Sequence, residues 1–219
     1  CYPVGARTAA ELVESGALSR EEGERLLIFC NNAGPGFLLG ICGGAVFASP
    51  RAGAALYLIH AASALFTGIL LTRRLPPLSA PFSAGAAPRR SVSLSAALPA
   101  AVQGALAGIL NVCAFVVFFT VCTRLLLRAL PESFAFSLPC ALLIGFFELT
   151  SGVTALPPTR AGFLACAALL AWGGLSVHCQ TLSALSASAL SARYYLRAKA
   201  AQALLSVILS LPALPFLFP

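Results

Sequence analysis

From Leu94 to Leu130 the chain carries Arg124 and Arg128 as its charged residues, both near the end of the run. One membrane crossing takes about 20 residues, so this run is longer than a span and too apolar for the surface of a globular domain. Leu26 to Ala48 and Ala161 to Ala192 are similar, and each is cut by glycine, proline or amide residues. A hydrocarbon layer offers no water to an unpaired backbone group. A chain inside it must be helical, and its interruptions must face protein or a water-filled cavity. The expected fold class is an all-α membrane protein, a helical bundle with broken helices or re-entrant hairpins.

Composition agrees. Hydrophobic residues make up 59% of the chain and charged residues 10%, against about 25% charged in soluble domains, and the mean hydropathy is +0.91. There is no Asp, and five of the seven Glu fall at 11, 14, 21, 22 and 24, leaving Glu132 and Glu148 further on. Thirteen Arg and one Lys give a net charge of +7. They stand in short groups at the ends of apolar runs, a pattern of anchors to a phosphate-rich bilayer surface and not of a nucleic-acid groove.

Enzymatic readings fail on inventory. Without Asp there is no aspartyl intramembrane protease, Lys199 sits in no phosphate-binding loop, and His60 and His178 cannot supply H-E-x-x-H. Gly174-Leu175-Ser176-Val177 approaches the rhomboid G-x-S-G but lacks its second glycine. The eight Cys form no C-x-x-C pair and read as small buried hydrophobes, so neither a disulfide framework nor a metal site is expected. No catalytic residue and no cofactor is expected. No methionine occurs, position 1 included, and the chain reads as part of a longer one, without a recognisable signal peptide.

Residues 1–25 read as a water-facing amphipathic segment of two short helices, with capping boxes at Thr8-x-x-Glu11 and Ser19-x-x-Glu22 and a stop near Gly16. Residues 26–219 read as the membrane domain. Within it 26–72 and 94–219 are in the membrane, and 73–93 is a basic loop holding Arg73, Arg74, Arg89 and Arg90. Asn31 to Gly36 interrupts the first run, because proline lacks a donor and disfavours helix before it. Ala54 to Leu71 is a plain span carrying His60. Gln103, Gly104 and Gly108 predict a second break, with a full span at 109–127 after it. Trp172-Gly173-Gly174 predicts a third, and Arg193, Arg197 and Lys199 are expected to end that segment before a last apolar element from Ala203 to Phe218. The Arg groups at 124–128, 160 and 193–199 cannot all lie on one side, so orientation stays open.

The chemistry centres on Ile144 to Thr154, which sets Glu148 in an apolar run and follows it with Thr150, Ser151 and Gly152. A charge at the bilayer centre costs roughly 2.5–3.5 kcal/mol on insertion scales, and hydroxyls with glycine open a helix. Glu148 is either an interfacial carboxylate paired with Arg or a ligand for a solute, a coupling proton or a cation. His178 and Gln180 are core polar groups or line a cavity at a helix start, where backbone N–H groups attract anions. Ser176, Gln180 and Ser183 share one helix face. Asn31 and Asn32 are turn formers or cavity groups, and Asn111 and Gln103 read as interhelical contacts.

Three stretches together resemble a known family. Arg25 to Phe37 resembles a run ending in N-N-x-G-P-x-F, Gly145 to Gly152 resembles G-x-x-E-[IL]-T-x-G, and Gly173 to Gln180 resembles G-G-L-S-V-H-x-Q. The family is the sporulation integral membrane proteins, stage V sporulation protein V type, of the nucleoside-recognition (Gate) superfamily, and the resemblance spans residues ~19–192. It implies an architecture similar to half of a concentrative nucleoside transporter, with re-entrant hairpins meeting at the midplane. It also implies a membrane transport role in endospore formation, moving the small anion dipicolinate across the forespore membrane, in a bacterial cell membrane or forespore outer membrane. Asn31, Asn32, Gly34, Glu148, Thr150, Ser151, Ser176, His178 and Gln180 are the expected substrate-binding residues. Two alternatives remain: a nucleoside as cargo, or a non-transporting module docking sporulation partners. The expected partners are the solute, the lipid bilayer, a coupling proton or cation, and a second copy of the chain.

Overall fold

The computed structural model describes residues 2–78, 93–135 and 137–218, so Arg89 and Arg90 of the basic loop lie outside the described residues. Those described form helices and connections without a strand. Among the described residues four helical stretches are long and apolar enough to cross a membrane: Pro50–Thr72, Leu94–Arg128, Arg160–Leu185 and Arg193–Leu217. These lengths and compositions are those of a helical membrane protein.

Helices α1 (Val4–Glu14) and α2 (Arg20–Cys30) form the amino-terminal pair. Gly16, at φ 72°, ends α1: its N–H donates to the Val13 carbonyl, and the Ala17 N–H donates to that of Leu12. That is the paired closure a left-handed glycine provides. Ser19 and Glu22 form the capping box that opens α2, with Glu22 N–H on Ser19 Oγ at 3.2 Å and Ser19 N–H on Glu22 Oε2 at 2.8 Å. Those bonds from the Ser19 backbone and hydroxyl hold the Glu22 carboxyl below its ordinary pKa. Thr8 caps nothing. It lies inside α1, which starts after Pro3. The pair also packs inward: Ala6, Ala9 and Ala10, spaced to share one face of α1, are buried with Leu27, Leu185 and Tyr195.

The first apolar run breaks at Asn31, whose backbone turns extended at φ −95°, ψ 90°. Helix resumes as a π-helix over Phe37–Val46 and doubles back into α3 (Pro50–Thr72). α4 (Leu94–Arg128) is one continuous helix, which corrects the break expected at Gln103 to Gly108. Gly104 serves a close approach instead. Its carbonyl accepts Arg7 Nη1 at 2.7 Å, and a Cβ there would stand 2.8 Å from the same guanidinium.

α5 (Leu138–Phe147) stops at Glu148 and α6 (Leu149–Thr154) folds back on it. Gly152 lies directly on the Gly145 backbone, leaving no room for a Cβ. α7 (Arg160–Trp172) and α8 (Gly174–Leu185) are separated by Gly173 and Gly174, at φ 90° and 78°. Two successive left-handed residues are affordable because glycine carries no Cβ. α9 (Arg193–Ser210) packs against α7 and α3. Arg193, Arg197 and Lys199 therefore open and line the last long helix and do not end the segment before it. The core beside these helices gathers Leu38, Cys42, Leu56, Val153, Phe163, Cys166 and Leu170.

Candidate functional site

The three true interruptions meet. A cavity of about 180 Å³ is bounded by Gly34 from the first break, Glu148 and Thr150 from the second, and Ser176 and Gln180 just past the third, with Tyr2 closing one side. The contact follows from local sequence. Gly174, with no side chain, lets the start of α8 rest on the turn between α5 and α6, where a Cβ would stand 3.0 Å from the Gly145 carbonyl oxygen and 3.1 Å from the Leu149 nitrogen.

Glu148 is 1% exposed, yet its carboxylate is well met. The Thr150 N–H donates to Oε1 at 2.9 Å and the Ser151 N–H to Oε2 at 2.7 Å. It is the N-cap of α6, so the helix opened by Thr-Ser-Gly supplies the donors its own acid needs. An ionised carboxylate offers about four acceptor positions, so roughly half of its capacity is left toward the cavity. Ser176 Oγ is buried without a partner, and the Gln180 amide, 2% exposed, has no hydrogen bond among the described residues. Buried polar groups are nearly always paired, and among the residues lining this cavity Ser176 Oγ is the buried atom that is not.

Asn31, Asn32 and His178 stand behind this wall. Asn31 Nδ2 donates to Thr181 Oγ1 at 2.8 Å, and Thr181 Oγ1 and His178 Nδ1 lie 3.2 and 3.1 Å from the Tyr195 hydroxyl. The His178 ring sits edge-on to Trp172 and Tyr195, with centroids at 4.5 and 5.5 Å. Asn31 Oδ1 and His178 Nε2 have no partner. Ser151 turns elsewhere: successive helical residues point about 100° apart, and it lines a separate cavity of about 420 Å³ with Thr123, Arg124 and Thr154. Ser183 bonds Asn111 of α4 at 3.3 Å, an interhelical contact.

Two groups escape the sequence reading. Tyr2 lines the cavity and donates its hydroxyl to the Leu170 carbonyl at 3.0 Å. Lys199 is wholly buried, with Nζ donating to Asn32 Oδ1 and Gln202 Oε1 at 2.9 Å each. A signal for it exists. Tyr195, Lys199, Gln202, Ser206 and Ser210 recur at helical spacing, and all are buried. α9 is thus polar on its inner face and apolar outside, with Leu204 and Ile208 exposed. On α3, His60, Ser63 and Thr67 make a similar buried stripe, and Gln202 Nε2 reaches the His60 carbonyl at 3.5 Å. Among the described residues no group of His, Cys or Glu could hold a metal ion. No protein-family model matches this chain, and comparison with curated proteins and with solved structures found no similar one.

Proposed function

We propose that this chain is the solute-binding part of a membrane transporter for a small anion, with the cavity at the three helix breaks as its site. By the sequence resemblance the solute is dipicolinate, pyridine-2,6-dicarboxylate, moved across the forespore membrane, and the architecture is that of half a concentrative nucleoside transporter. The observation that carries the reading is the convergence of Gly34, Glu148 and Gln180 on one cavity beside the unpaired Ser176 Oγ. Helices broken at membrane depth, with polar groups facing the gap, are how transporters build a midplane site.

Size favours a single-ring solute over a nucleoside. Pockets for drug-sized ligands run about 300–1,000 Å³, and this one is about 180 Å³. Glu148 would repel an anion, so the solute enters with a proton or a cation that the remaining carboxylate positions hold. The test is uptake of dipicolinate into vesicles carrying the full-length protein, for wild type, Gln180→Ala and Glu148→Ala, with uridine as competitor. Uptake lost in both variants and indifferent to uridine is expected. Competition by uridine would move the assignment to nucleosides, and no uptake of either solute would leave a docking module.

A further inference from the structure

A buried ammonium needs an anion or several strong acceptors, because removing it from water is costly. Lys199 has neither in full. It is 0% exposed, and its two acceptors are the neutral amides of Asn32 and Gln202. In its protonated form the amine has three N–H donors, so that form has one left over. Beside it lie the ring faces of Tyr2 and Tyr195, with centroids 5.5 and 5.9 Å from Nζ, and Cys30, His60 and His178 are also within its electrostatic reach. No carboxylate pairs with it among the described residues. Glu11 and Glu24 pair with Arg7 and Arg20, Glu22 caps Ser19, and Glu148 is bonded by Thr150 and Ser151.

Lys199 lies behind the cavity wall, one residue removed from its lining. Tyr2 belongs to both places, since its ring lines the cavity and lies against Nζ. Asn32, which holds the ammonium, directly precedes Ala33 and Gly34 in the cavity wall. The neighbouring Asn31 Oδ1 and His60 Nδ1 are also buried and unpaired, and the Ala33 N–H donates to His60 Nε2 at 3.3 Å.

Resting on the anion reading above, we propose that Lys199 is the counter-charge of the solute: one carboxylate passes Tyr2 and docks on Nζ, with Asn32 and Gln202 as its side walls. The Lys199 ammonium then gains the acceptor that the protein withholds. This divides the labour at the site, with Glu148 on the side that takes a proton or cation and Lys199 on the side that takes the carboxylate.

The experiment measures binding by calorimetry on full-length protein in nanodiscs, using pyridine-2,6-dicarboxylate and its neutral analogue pyridine-2,6-dimethanol. Wild type should bind the dicarboxylate at least about thirtyfold more tightly than the dimethanol. Lys199→Met should lose that preference, about thirtyfold being the low end for removing one member of a buried charge pair. Lys199→Arg should keep most of it. Melting of the empty protein separates function from scaffold, because a cation retained for a ligand is a liability without one. Empty Lys199→Met should therefore melt no lower than wild type. A preference unchanged in Lys199→Met overturns the counter-charge while leaving the anion reading intact, and wild type binding neither pyridine removes both. A fall in melting temperature that Lys199→Arg does not restore makes Lys199 a structural group and also overturns the proposal. Should Lys199→Met not fold, equal wild-type affinity for the two pyridines overturns it.

Discussion

α4 and the α7–α8 pair are both long apolar runs with internal glycines, and they fold differently. In α4 the helix runs unbroken through Gly104 and Gly108, and none of its most apolar stretch is buried. Arg160–Leu185 is split at Gly173-Gly174, and 72% of its most apolar stretch is inside the bundle. Glycine permits a break without requiring one. A lipid-facing helix that broke would expose carbonyls and N–H groups to hydrocarbon, so the exposed run stays helical. A buried run can break, because neighbouring elements receive what is freed. The sites of interruption, and with them the cavity, are chosen by burial as much as by sequence.

The hardest test of that contrast is Gly174→Val. The new side chain would need φ 78° and would stand about 3 Å from the Gly145 carbonyl and the Leu149 nitrogen. Positive φ and the clash together should destabilise by about 3 kcal/mol or more, read as a lowered melting temperature in detergent with loss of solute binding. A variant that melts like wild type would mean the break is not held by its contacts. Glu148→Gln probes the same side at smaller amplitude. Glutamine has one acceptor oxygen for the two N–H groups of Thr150 and Ser151, so one buried donor faces an amide NH₂. We expect a loss of about 1–3 kcal/mol, checked by the same melt. No loss would show that α6 does not depend on its cap.

The three real breaks were legible as chemistry. Asn31 to Gly36 contains proline, Thr150-Ser151-Gly152 follows an acid, and Gly173-Gly174 pairs two glycines. The break expected at Gln103 to Gly108 was read from the same kind of residues and is absent, because the use of Gly104 is to admit Arg7 from a helix ninety-odd positions away. Within the site, Glu148, Ser176 and Gln180 could be named from position, since each lies at or just after a break. Ser151 was grouped with Thr150 by adjacency, yet one helical step sends it to another cavity. Lys199 was missed because charges near it, Arg193 and Arg197, drew it into a basic end. The inward stripe from Tyr195 to Ser210 carried the better signal, as a helix in lipid reverses the usual rule and puts polar residues inside.

The exposed side of the comparison makes the smaller predictions. Gly108→Ala meets nothing nearer than Arg7 Nη1, at 3.9 Å from the new Cβ. If α4 is held helical by its surroundings, alanine should stabilise it by up to about 1 kcal/mol, seen as an unchanged or higher melting temperature. A marked loss would mean that Gly108 supports a bend or an unseen contact. Asn111→Ala should do least. It removes the 3.3 Å bond from Ser183, which ties α4 to the far end of α8. Interhelical polar bonds in membranes average about 0.6 kcal/mol, so a small loss in the melt and unaltered dicarboxylate affinity are expected. A large fall in affinity from Asn111→Ala would instead mean that α4, whose Val112 and Val116 border the cavity, shapes the site and is not merely its lipid-facing wall.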